Sequence, residues 1–169
     1  MNLLELISRR RSVRHYAAKP VEEDKIDYLL ACARLAPSAC NRQPWRLLVV
    51  RSEERLRALH SSYPREWFLT APLCIAVCVD ESEAWVRPAD GRSHSDVDAA
   101  IAAEHICLAA AEQGLGCCWV CAFDPERCAE ALHIEAPLRP VALLPIGYPA
   151  DETPAPKLRK AVEEISKTL

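Results

Sequence analysis

The chain has 169 residues, half of them apolar, and a formal net charge of -3 at neutral pH. That is enough apolar material for one sizeable core and too little positive charge for the broad basic face of a nucleic-acid binder. No apolar run reaches the roughly 18 residues of a membrane span, and the charged start MNLLELISRRR does not fit a signal peptide, so the expectation is one cytoplasmic domain over 1–169 with no membrane partner.

Leu3, Leu4, Leu6 and Ile7 predict a short helix whose last turn is Ser8 to Arg11. It runs into Arg9-Arg10-Arg11-Ser12-Val13-Arg14, four guanidiniums and a hydroxyl within six residues. A helix C-terminus favours cations and explains part of this charge. Guanidinium forks also match phosphate oxygens, so the same cluster reads as a phosphate seeker. Lys19-Pro20 breaks the chain, Glu22-Glu23-Asp24 suit a helix start, and Ile26, Leu29, Leu30 and Ala33 follow at helical spacing until Pro37.

Between Pro37 and Pro44, the residues Ser38, Asn41, Arg42 and Gln43 offer hydrogen-bonding groups on a backbone with little freedom. Arg46 to Val50 reads as a short buried strand. Ser52 caps a helix from Glu53 to about Ser61, and Arg65 to Leu69 is a short amphipathic piece. Leu73 to Val79 is apolar at every position, as a strand covered on both faces would be. Asp80 to His94 is polar and predicts a mobile surface excursion.

A helix from Ser95 to Gln113 stops at Gly114. Val97, Ala100, Ile101, Ala103, Ile106, Cys107 and Leu108 leave it little polar face, so it must be buried nearly all round, in the core or against a second subunit. Leu115 to Phe123 is strand-like, and Asp124-Pro125 starts a helix to about His133. Arg139 to Pro149 is a strand whose prolines suit an edge or a bulge. The tail is a Pro-rich connector, then Lys157-Leu158-Arg159-Lys160, then a last helix with Val162 and Ile165.

The usual dinucleotide, P-loop and zincin motifs are absent. Nine cysteines, an odd number set among apolar neighbours, read as reduced core residues. Cys118 and Cys121 form a CxxC without a second pair, so no metal is expected. His94, Asp96 and Asp98 read as a cap and an exposed first helical turn. No nucleophile, base and orienter can be assembled, and no catalytic side chain is assigned. What remains is a basic cluster near each end, Arg10 to Arg14 and Lys157 to Arg159. They could converge on one phosphate of a phosphorylated cofactor if the chain ends meet.

RRSVR, APSACNRQPW, GLGCCWVCAF, PIGYP and a terminal KLR, taken in that order, resemble the FMN-dependent nitroreductase family over nearly the whole chain. The resemblance implies an α+β fold with a mixed, mainly antiparallel sheet flanked by helices, assembled as an intertwined homodimer with FMN at the interface. It implies that Arg10, Arg11, Ser12 and Arg14 bind FMN, with Arg10 and Ser12 on the phosphate side and Arg14 nearer the ring. Lys157 and Arg159 would close on the same phosphate. Pro37, Ser38, Ala39 and Asn41 would reach FMN from the partner subunit, with Gln43 supporting their loop. Trp119, Val120 and Cys121 would lie along the isoalloxazine, their backbone groups meeting its polar atoms, and Asp98 stands where some members place a flavin contact.

The implied reaction passes hydride from NADH or NADPH through FMN to an electron-poor small molecule, a nitroaromatic or quinone, in a ping-pong cycle. Flavin fragmentation, dehalogenation or ring dehydrogenation on the same fold is the alternative, followed by a non-enzymatic flavin-binding dimer. A zinc or iron-sulfur protein using Cys117, Cys118 and Cys121 is the most distant reading. The chain also departs from the family pattern. Cys121 and Ala122 stand in place of an acidic residue and glycine, and Pro64 and Trp67 in place of an Asn and a Lys at the pyrimidine edge, where Arg65 could compensate.

Overall fold

The computed structural model describes residues 1–151 and 157–169. Positions 152–156 of the expected Pro-rich connector lie outside the described residues. Ten elements follow the chain: α1 (Leu3–Arg9), α2 (Glu23–Arg34), β1 (Trp45–Val50), α3 (Glu53–His60), β2 (Leu73–Asp80), α4 (Ser95–Glu112), β3 (Gly116–Cys117), α5 (Pro125–Leu132), β4 (Leu138–Gly147) and α6 (Val162–Ile165). Short 3-10 turns lie at Ala39–Asn41 and Glu66–Thr70.

The continuous apolar run of β2 is inside the sheet, which has the order β1-β2-β4-β3 with every pair antiparallel. A parallel bridge between Ser12 and Cys117 adds the mixed character. Alternation along β2 divides the core in two. Leu73, Ile75, Val77 and Val79 pack with Leu29 and Ala33 of α2 and with Ile106 and Ala110 of α4. Cys74, Ala76 and Cys78 meet Leu59 of α3, Phe68 and Cys128 of α5 on the opposite face. The architecture is therefore α+β, a mainly antiparallel sheet with helices on both faces. Among the described residues, no helix is long and apolar enough to cross a membrane.

Capping is local and testable. The Ser52 hydroxyl accepts from the Arg55 N–H at 3.2 Å, and Ser52→Ala is expected to cost about 1 kcal/mol. Urea unfolding checks this, with Ser52→Asp restoring the loss.

Two expectations need correction, and one, for the β4 prolines, is met in one of its two forms. The strand expected over Leu115 to Phe123 is confined to Gly116–Cys117, with an isolated bridge from Val120 to Leu143. The Cys118 N–H bonds the Pro145 carbonyl at 3.3 Å, but proline has no N–H to return, so the ladder breaks there. The prolines of β4 lie in an interior strand rather than at an edge, and the expected bulge is a register shift between Val77 and Cys78 that skips Val141. The polar excursion after Asp80 is held closed: Val86 bridges Ser93, Arg87 Nε meets Asp90 Oδ1 at 2.8 Å, and Trp85 stacks edge-on against His94 at 4.8 Å.

Arg139 ties β4 to the start of α4. Its Nε donates to Glu81 Oε1 at 2.6 Å and its Nη2 to Asp96 Oδ1 at 2.6 Å, while Ser95 Oγ donates to Glu81 Oε1 at 3.0 Å. Burial pushes the Glu81 carboxyl up, but the Arg139 guanidinium and the Ser95 hydroxyl outweigh it and hold the carboxyl below its ordinary value. Stability from a carboxyl held low is present above its unfolded pKa and lost as pH falls through the folded one. Melting temperatures taken from about pH 6 to about pH 3 should therefore fall more steeply for the native chain than for Glu81→Gln. Parallel curves would remove this role.

Candidate functional site

The arginine-rich stretch leaves α1 as an extended segment laid on β3. The Val13 N–H bonds the Cys117 carbonyl at 3.1 Å, and Val13 is buried. Contact there is close: a Cβ on Gly116 would stand 2.6 Å from Val13 Cβ. Ser12 and Arg14, alternating with Val13, are exposed. Beside them the Tyr16 N–H donates to Thr70 Oγ1 at 3.2 Å, and Trp67 packs on Val13, Tyr16 and Ala71. The turn carrying exposed Arg65 thus lies alongside the RSVR segment.

The two ends of the chain meet at α1. Lys157 Nζ donates to the Ile7 carbonyl at 2.8 Å. Its ammonium is pushed below the ordinary lysine value, first by burial and then by the nearby charges of Arg10 and Arg159. Arg10 Nε lies 4.0 Å from Glu104 Oε1, the ion pair this cluster makes among the described residues. Lys157 thus feels the charges of two guanidiniums and one carboxylate, a balance suited to a dianionic phosphate monoester, whose oxygens accept several charge-assisted hydrogen bonds. Arg11 is turned elsewhere: its Nη2 meets Asp151 Oδ1 at 3.2 Å.

A second wall is the loop from Pro37 to Gln43. Cys40, Asn41 and Gln43 all have positive φ, at 50°, 54° and 51°, an unusual run for residues other than glycine. The Ser38 hydroxyl accepts from the Gln43 N–H at 2.9 Å, and Gln43 Nε2 donates to the Asn41 Oδ1 at 3.1 Å. Gln43 thus supports the loop, while Asn41 and Arg42 face outward. Ala36, Trp45 and Ala102 pack behind it.

Asp98 departs from the expected exposed turn. It is 2% exposed, and its Oδ1 accepts from the Ala39 N–H at 2.9 Å. Helix periodicity places it on the inner side of α4, toward the loop, where the outward neighbours Asp96 and Val97 are exposed.

The third wall is the outer face of α4. Val97, Ala100, Ile101, Leu108 and Trp119 line an open groove of about 760 Å³ rimmed by Asp96, Glu104 and His105. Trp119 Nε1 donates to Cys121 Sγ at 3.1 Å, and Cys121 is exposed. Val120 is different, because its N–H and C=O are both committed to Leu143, at 3.0 and 2.9 Å. Its N–H is thereby used within the sheet, while its carbonyl oxygen keeps a second lone pair.

The thiols are poorly placed for chemistry. The Cys117 thiol is pushed up chiefly by its contact with Cys107, Sγ to Sγ 3.6 Å, and then by burial. Burial also pushes the Cys118 thiol up despite neighbouring Arg14. All nine cysteines are free. Among the described residues, no three His, Cys, Asp or Glu side chains are grouped to hold a metal ion.

Sequence reasoning missed Glu104 and Gly116. For Glu104 nothing in the chain signals that Arg10 will lie beside α4 there. Gly116 carried a signal, being one of only four glycines and set inside a strand-like run.

The family model described as "Nitroreductase family" matches residues 7–64 and 57–148. The 5,6-dimethylbenzimidazole synthase of Rhodospirillum rubrum is 35% identical over 179 residues, covering 89% of this chain and 83% of that protein. The NAD(P)H-type FMN reductase of Bacillus subtilis is 26% identical over 180 residues, covering 97% of this chain and 72% of that protein. Among solved structures, a nitroreductase family protein from Clostridium difficile 630 superposes with a TM-score of 0.93 at 36% identity, covering 100% of both chains. An FMN-dependent nitroreductase from Clostridium difficile R20291 does so with a TM-score of 0.79 at 29% identity, covering 92% of each.

Proposed function

The chain belongs to the nitroreductase family, and on that premise we propose that it is an FMN-dependent oxidoreductase. It passes hydride from NADH or NADPH to an electron-poor small molecule, a nitroaromatic or quinone, as a homodimer built from one domain over 1–169. The observation that carries this reading is the meeting of the two chain ends, where Lys157 bonds the Ile7 carbonyl at 2.8 Å and feels the charges of Arg10 and Arg159.

When bound, FMN supplies two-electron chemistry at its N5, and the protein supplies position and electrostatics. Arg10, Lys157 and Arg159 hold the phosphate, and the exposed Ser12 hydroxyl adds a donor. Arg14, two residues further along the same extended segment, bears on the ring and stabilises negative charge there. Arg11, whose guanidinium meets Asp151, adds its charge to the same binding segment. Pro37, Ser38, Ala39 and Asn41, braced by Gln43, complete the pocket from the partner subunit. Trp119, Val120 and Cys121 flank the ring, with Asp98 behind the loop. No side chain is assigned as acid or base: hydride transfer between stacked partners needs approach to roughly 3 to 3.5 Å, and the proton that completes reduction of the acceptor comes from water.

The homodimer is supported by the outer face of α4, whose Val97 is 44% exposed within an apolar groove. Leu3, Leu4 and Ile7 of α1 are exposed too. Such surface normally lies against protein.

A second reading keeps FMN and changes the reaction. It is favoured by Cys121 and Ala122, which stand where the resemblance leads one to expect an acidic residue and glycine, and by the similarity to a 5,6-dimethylbenzimidazole synthase. An absorbance spectrum tests the cofactor: the purified protein should show oxidised flavin bands that bleach with NAD(P)H under anaerobic conditions. Recovery of colour on adding a quinone supports the favoured reaction. Bleaching without such recovery turns the assignment to the second reading, and a colourless chain that takes no added FMN ends both.

A further inference from the structure

The buried carboxylate of Asp98 is hard to explain as part of the core. Only Oδ1 is engaged, by the Ala39 N–H at 2.9 Å. Oδ2 is buried and meets no donor among the described residues. A carboxylate taken out of water is costly unless both oxygens are satisfied, so this group does not stabilise the fold for its own sake. The loop it touches is likewise unfavourable locally, with Cys40, Asn41 and Gln43 in the left-handed region.

The two costs meet at a single bond. The other hydrogen bonds made by residues 38–42 close within the loop: Asn41 N–H to the Ser38 carbonyl, Arg42 N–H to the Ala39 carbonyl, Gln43 N–H to Ser38 Oγ and Gln43 Nε2 to Asn41. Among the described residues, Asp98 therefore supplies the hydrogen bond that joins this turn to α4, the longest of the helices described. Unfavourable conformations persist where surrounding structure over-determines them, and they gather where geometry serves a ligand.

We infer that Asp98 is a positioning residue, which through the Ala39 N–H sets the 38–41 loop in the conformation that receives FMN. This role rests on the cofactor reading above. It acts at a distance, so its loss loosens the cofactor without dismantling the chain.

The bond can be removed from either side. Asp98→Ala deletes the acceptor. Ala39→Pro deletes the donor at a position suited to the change: Ser38 before it is extended, with φ -139° and ψ 159°, and Ala39 opens the 3-10 turn, where its N–H is not used within the turn. Asp98→Asn keeps an oxygen acceptor. FMN affinity is read on the full-length chain by quenching of flavin fluorescence, beside thermal unfolding without FMN.

Asp98→Ala and Ala39→Pro should each weaken FMN binding about tenfold, or about 1.4 kcal/mol. The double variant should be no weaker than either single one, because both remove the same bond. Asp98→Asn should bind nearly as the native chain does. The unfolding midpoint of FMN-free Asp98→Ala should hold or rise, since an unmatched buried carboxylate has gone. Native-like FMN binding by Asp98→Ala, or additive effects of the two single changes, overturns the inference. So does a lowered midpoint with no change in affinity, the result of a purely structural role. Should Asp98→Ala fail to fold, Ala39→Pro against the native chain decides alone. A native chain that binds no FMN instead overturns the cofactor assignment, and this role with it.

Discussion

Replacing Arg10 and Arg159 together by alanine is expected to empty the protein of FMN while leaving it folded. Each charge-assisted hydrogen bond lost contributes about 1.5 to 3 kcal/mol, so two of them correspond to a weakening on the order of 10² to 10⁴ in Kd. Lys157 alone cannot replace them, because it is a single ammonium that already donates to the Ile7 carbonyl and lacks the paired donors of two guanidinium forks. The fold has little to lose. Among the described residues, the Arg10 side chain is joined to Glu104 alone, at the 4.0 Å limit of an ion pair, and removing like charges relieves repulsion. Flavin absorbance after purification, an FMN titration and a circular dichroism melt measure the three quantities. Unchanged occupancy would remove the phosphate assignment, whereas loss of the circular dichroism signal would move the arginines into the structural framework.

The second large effect is expected from one methyl group. Gly116→Ala would place a Cβ 2.6 Å from Val13 Cβ and Cγ2 and 2.8 Å from Cγ1. The obstacle is a β-branched side chain that cannot rotate away, so the extended segment has to lift off β3. Overpacking of this kind costs up to about 3 kcal/mol, or about 6 to 12 °C in melting temperature for a chain of this size. The same displacement moves Ser12 and Arg14, which flank Val13, so FMN affinity should fall together with stability. In a Val13→Gly background the three offending atoms are absent, and there Gly116→Ala should cost little. An equal penalty in both backgrounds would place the strain elsewhere. This pattern differs from that of Asp98→Ala, in which affinity falls and the melting temperature does not.

Much of the architecture can be read without coordinates because it depends on neighbours in the chain. Burial on both faces requires an unbroken apolar run, and Leu73 to Val79 could be little else than a central strand. Likewise the small and apolar residues of α4 predict a helix covered nearly all round, and its outer groove shows where cover is still wanted. Helix ends were equally legible: Ser52, the Asp124-Pro125 pair and Gly114 each act through bonds or dihedrals within a few residues. The RRSVR and KLR segments announced themselves by charge alone.

Tertiary structure decided whatever depends on residues remote in sequence. Pro145 truncated the strand after Cys117 only because Cys118 lies opposite it. Asp98 read as a solvated carboxylate and is buried, since its surroundings come from a loop about 60 positions earlier. Arg10 and Arg11 are adjacent and chemically alike, yet one faces Glu104 and Lys157 while the other is held by Asp151. Sequence therefore determined which segments form and which charges are available, because hydrophobic period, capping and proline geometry act over a few residues. Which of those charges share a site was left to the packing of the two chain ends against α4, because a Coulomb or hydrogen-bond contact depends on distance in space and not along the chain.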